Sequence, residues 1–90
     1  MKPTNTFNPD CMTLEQLEDF FRRNQYYSQA AEEMYPGVKV GFQTAHKLVR
    51  YMKLCMYARR ARMGGHINDA WNAEDKMNRI FNSLPDYAKW

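Results

Sequence analysis

The sequence predicts an all-α fold: one three-helix domain with an antiparallel helix 2–helix 3 hairpin, an extended amino-terminal arm and a short aromatic carboxyl-terminal tail. Two observations predict it. Three segments each carry apolar residues on one side of a wheel turned by about 100° per residue. Helix-stopping residues stand between them, Pro36-Gly37, Gly64-Gly65 and Pro85.

Ninety residues make one domain. A chain this short buries only about 60–65% of its unfolded surface, enough for one core but not for a core plus a deep cleft. The hydrophobic share is 44% and the charged share 26%, the balance of a folded protein. Six Tyr, five Phe, two Trp and seven Met supply bulk for a small core or anchors for a contact surface.

Residues 1–12 read as an extended arm, since Pro3, Asn5, Asn8 and Pro9 break any period and Phe7 is its one large apolar anchor. Helix 1 is expected over 13–34. Thr13 followed by Gln16 forms a capping box, with Met12 placed to staple onto Leu17. Its stripe is Leu14, Leu17, Phe20, Phe21, Tyr27, Ala31, Met34 and Tyr35, with Asn24 and Ser28 inside it and Tyr26 off it. Val38 to Phe42 alternate like a short strand, but with nothing to pair with, an ordered connector is expected.

Helix 2 is expected over 43–63, with an apolar arc of Phe42, Ala45, Leu48, Val49, Met52, Cys55 and Met56. Helix 3 is expected over 67–84, on Ala70, Ala73, Met77, Ile80, Phe81 and Leu84, with Trp71 off the stripe. Residues 85–90 form a tail whose Tyr87 and Trp90 are expected to fold back on the body. The short Gly-Gly link sets helices 2 and 3 side by side.

The first candidate site is the polar side of helix 2. His46, Arg50, Lys53, Tyr57 and Arg60 fall within an arc of about 80°. Cations there neutralise phosphates and Tyr offers a stacking face, so nucleic acid is a possible partner. The same pattern suits a plain solvated face, and a net charge of +3 permits an anionic partner without demanding one. Tyr26, Trp71 and Trp90 are interface candidates, because bulky aromatics outside the stripes often anchor contacts. They support a protein-interaction module that pairs with itself as a dimer or with another protein. Arg59 falls within the apolar arc, where a guanidinium needs a partner. A structural ion pair with Asp69 or Glu74 is expected.

No chemistry-bearing constellation is present. His46, His66, Cys11 and Cys55 are scattered rather than closely paired, so no metal site is predicted. There is no Gly-rich phosphate loop and no nucleophile motif, so neither enzyme activity nor a cofactor is expected. Cys55 reads as a core thiol. No apolar run suggests a signal peptide or a membrane span, and a cytoplasmic setting is expected.

The carboxyl-terminal part reads Arg59-Arg60-Ala61-Arg62-Met63-Gly64-Gly65, then Ile67 and Ala70, then Glu74, Ile80-Phe81 and Leu84-Pro85-Asp86-Tyr87-Ala88-Lys89-Trp90. Over residues 58–90 it resembles small helical proteins of tailed bacteriophages, some from marine sources, which end in a helix, Leu-Pro, an aromatic and a closing Trp. The resemblance implies a phage accessory protein in a bacterial host cytoplasm. It carries no activity and assigns no residue a role.

Overall fold

Thr13 begins the first helix by reciprocal capping. Its hydroxyl oxygen accepts from the Gln16 amide at 3.1 Å, and Gln16 Oε1 accepts from the Thr13 amide at 2.8 Å. In the computed structural model, which describes residues 7–90, helix α1 spans Leu14–Arg23, α2 Tyr27–Met34, α3 Phe42–Met63 and α4 Ile67–Ser83. Short 3-10 turns, Pro9–Cys11 and Asp86–Ala88, flank them. The fold is all-helical, with no strand among the described residues. Of the predicted arm, residues 1–6 lie outside the described residues.

The expected helix over 13–34 is corrected to two helices. Asn24 ends α1 with an extended backbone. Its side-chain amide donates to the Phe20 carbonyl at 2.9 Å and to Glu33 Oε1 at 3.3 Å. Gln29 Oε1 then accepts from the Gln25 and Tyr26 amides at 3.1 and 3.3 Å. These side chains satisfy backbone groups that a continuous helix would bond internally. A straight helix would also have turned Asn24 and Ser28 toward the core. Arg23 Nε and Nη2 bridge the break to the Glu33 carboxylate at 3.2 and 2.9 Å, setting α2 against α1.

Helix α3 is the spine. Ala45, Leu48, Val49, Tyr51, Met52, Cys55, Ala58 and Ala61 are all buried on it, against Leu17 and Phe20 of α1, Ala30 and Met34 of α2, and Ala73 and Met77 of α4. It stops in a Schellman turn. The His66 amide donates to the Ala61 carbonyl at 2.8 Å and the Gly65 amide to that of Arg62 at 3.2 Å. Gly65 sits at φ 79°, a left-handed conformation that a side chain would strain. α4 then returns along α3. Arg62 meets Glu74 near the turn, and Lys47 Nζ donates to the Ser83 carbonyl at the far end. Ala58, Ala61, Ala70 and Ala73 are buried near the turn. Their small side chains let the two helices approach closely there.

One apolar expectation fails. Phe42 is 73% exposed. It opens α3, where the helix has run past the edge of the core, and its ring rests instead near Tyr27 and His46.

Candidate functional site

The outer side of α3 is the first candidate. Since eight inward positions face the core, helical periodicity leaves an opposite strip for solvent. His46, Arg50, Lys53, Tyr57 and Arg60 are all exposed on it. His46 lies against the Tyr27 ring at 5.1 Å between centroids. Lys53 Nζ stands 5.9 Å from the centre of the Phe21 ring, a weak cation–π contact. Arg60 Nη2 reaches Glu18 Oε2 of α1 at 3.1 Å. Between α1 and α3 an open groove of about 580 Å³ is lined by Phe21, Asn24, Gln25, Lys53, Met56, Tyr57 and Arg60. On the other side of Tyr57 a second depression of about 350 Å³ is lined by Leu54, Asp69, Asn72, Ala73 and Lys76.

The aromatic candidates divide. Tyr26 and Trp71 are exposed. Trp90 is not a free anchor. Its ring packs edge-on against Tyr51 and Phe81, 4.8 Å between centroids in each case, and its indole N–H donates to Asp10 Oδ2 at 2.9 Å. Trp90 therefore closes the chain on itself, and its role as an interface residue is withdrawn.

The ion pair expected for Arg59 is also corrected. Arg59 Nη2 donates to the backbone carbonyls of Pro9 and Asp10, at 3.4 and 2.9 Å. Glu74 belongs to Arg62, whose Nε and Nη2 donate to its two oxygens at 2.8 and 2.7 Å. The reason is the amino-terminal arm. Its turn at Pro9–Cys11 lies across α3 on the Cys55 and Arg59 side and presents two carbonyls where the guanidinium emerges.

Asp10 is the residue that sequence reasoning missed. One carboxylate accepts from the Tyr51 hydroxyl at 2.7 Å and from Trp90 at 2.9 Å. It thereby joins the arm, the spine and the tail. Burial and the Asp10 hydrogen bond push the Tyr51 phenol well above its ordinary pKa. Burial also pushes the Cys55 thiol up, which keeps it protonated and unreactive. The only local mark of the arrangement is Asn8, whose Oδ1 caps the Asp10 amide at 3.0 Å.

Two carboxylates give the fold an acid dependence. Hydrogen bonds from Arg62 hold the Glu74 carboxyl below its usual range, and those from Arg23 do the same for Glu33. A carboxyl with a lowered folded pKa stabilises the fold above its unfolded pKa and loses that contribution as pH falls through the folded value. Stability is therefore expected to be full at neutral pH and to decline below the ordinary glutamate pKa. Urea midpoints measured from neutral to acid pH should fall less steeply for the Glu33→Gln, Glu74→Gln double variant. An unchanged slope would exclude these two groups as the cause.

Among the described residues, no three His, Cys, Asp or Glu gather as a metal site, and no helix is long and apolar enough to cross a membrane. Comparison of the chain with protein-family models, curated proteins and solved structures gives no match.

Proposed function

We propose that the protein is a non-enzymatic helical interaction module that pairs with a second copy of itself through the end where α3 turns into α4. The observation that carries this is the apolar surface left there. Met63 is 78% exposed and Trp71 59% exposed, with Ile67 exposed as well. Ile67 and Trp71 are four residues apart on α4, so their side chains neighbour one another. Met63 lies just across the Gly64-Gly65 turn. Large apolar side chains gathered at one end gain most when water is removed from them, and Trp is among the residues enriched in the few positions that dominate a contact's energy. Arg62 and Glu74, paired near the turn, supply a charged rim, the arrangement of an interface with an apolar centre. A small chain with a limited core gains stability from such pairing.

The phage-like carboxyl-terminal segment contains this same end. It supports the setting we propose, an accessory protein in a bacterial cytoplasm.

Sedimentation velocity over micromolar to millimolar concentrations tests the pairing. The wild type should shift from the 10.8 kDa chain toward twice that mass, and Trp71→Ala should move the transition to at least about tenfold higher concentration. One chain's mass at every concentration would overturn the proposal.

A further inference from the structure

We propose that the exposed face of α3, with the groove beside it, binds single-stranded nucleic acid. This site is separate from the pairing surface and does not rest on it.

Charge comes first. The groove wall carries Lys53 and Arg60, and no carboxylate is among its lining residues. Arg50 extends the cationic line along the same face. From Arg50 to Arg60 the helix rises about 15 Å, a length suited to several successive phosphates rather than one. Stacking comes second. Tyr57 is 53% exposed and stands between two depressions, one lined by Phe21 and Gln25 and the other by Asp69, Asn72 and Lys76, where the lysine offsets the carboxylate. A base laid in either depression meets the phenol face. Such stacking tolerates any sequence and contributes strongly to single-strand binding.

Shape decides against a duplex. A single helix about 10–12 Å across fills the major groove of B-DNA, itself about 12 Å wide. Here α1 and α4 flank α3 and form the far walls of both depressions. Three helices side by side cannot enter that groove. An unpaired strand, with its bases free to turn into the depressions, can lie along such a surface.

Glu18 is the competitor. Its carboxylate holds Arg60 at 3.1 Å, and a phosphate would have to share or displace it. The proposal therefore makes an asymmetric forecast, in which removing this one carboxylate strengthens binding.

The test is fluorescence anisotropy with labelled oligothymidylate, oligouridylate and a duplex of equal length, each about 20 nucleotides per strand, at about 50 and 200 mM salt. Both single strands should bind more tightly than the duplex. Three cations on phosphates predict a log–log salt slope near about −2. Tyr57→Ala should weaken binding at least about fivefold with little change in that slope. Lys53→Ala and Arg50→Ala should each flatten the slope by about 0.7. Glu18→Gln should strengthen binding, whereas Glu32→Gln on α2 should not. Circular dichroism melts confirm that each variant is folded. No binding at low salt, equal affinity for the duplex, or a folded Tyr57→Ala variant that binds like wild type would each overturn the proposal. A preference between the two single strands would reflect their 2′-hydroxyl or 5-methyl difference, and either result upholds the proposal.

Discussion

Phe20→Ala is expected to destabilise the protein by about 3–5 kcal/mol, the loss typical of a large aromatic removed from a packed core. Phe20 is fully buried. Its ring meets Phe21 edge-on at 5.5 Å between centroids and the arm's Phe7 at 6.2 Å. The substitution therefore opens a cavity where α1, the arm and α3 converge. Domains of this size are stable by only about 5–15 kcal/mol, so a substantial unfolded fraction is expected at modest urea concentrations. Phe42→Ala is the matched control. Phe42 is mostly exposed, and its loss should fall within about 0.5 kcal/mol of wild type. Equal urea midpoints for the two variants would contradict the packing described.

Asp10→Ala is expected to cost about 2–3 kcal/mol, the range for hydrogen bonds to a charged acceptor whose donor is left buried. Two donors lose their acceptor at once. The Tyr51 hydroxyl is the more damaging, because its side chain is buried and no water replaces the carboxylate easily. Trp90 also loses the bond that holds the tail. Arg59 keeps its grip on the arm's carbonyls, so the arm should loosen rather than detach. Adding Tyr51→Phe to Asp10→Ala removes the orphaned hydroxyl and should recover part of the loss. Thermal melts of the single and double variants check this. A further full loss in the double variant would show that the hydroxyl was not bonded to Asp10.

The core was legible because local physics wrote it. Thr13 and Gln16 cap one helix, Gly65 ends another, and the spacing of Leu48, Met52 and Cys55 marks the inward side of α3. The break in the first helix was not legible from its apolar stripe, because Ala31 and Met34 fall on the buried side whether or not the helix is continuous. The mark that could have revealed it was Asn24 and Ser28 in the middle of that stripe. A polar pair at apolar positions is better satisfied by ending the helix than by burying it.

The candidate surfaces were legible in part. Exposure of the helix 2 stripe follows from period alone, so His46, Arg50, Lys53, Tyr57 and Arg60 stand where the wheel puts them. The partner of Arg59 does not follow from any period. Its acceptors are backbone carbonyls at Pro9 and Asp10, distant in sequence, and carbonyls carry no residue signature. The tie between Asp10 and Trp90, at opposite ends of the chain, had no sequence mark beyond the local cap at Asn8. The apolar end at Met63 and Ile67 was overlooked because each residue alone reads as a helix terminus. Only the Gly64-Gly65 turn brings them to one end with Trp71.

The pairing surface is tested most directly by amide hydrogen exchange measured at low and high protein concentration. The first amides of α4 follow His66, which makes no side-chain cap, so they lack an internal acceptor and report solvent access sensitively. Contact between two copies predicts that protection over residues 63–71 rises with concentration while that over 46–60 stays constant. Protection over 63–71 that is the same at both concentrations, or a rise confined to 46–60, would contradict it.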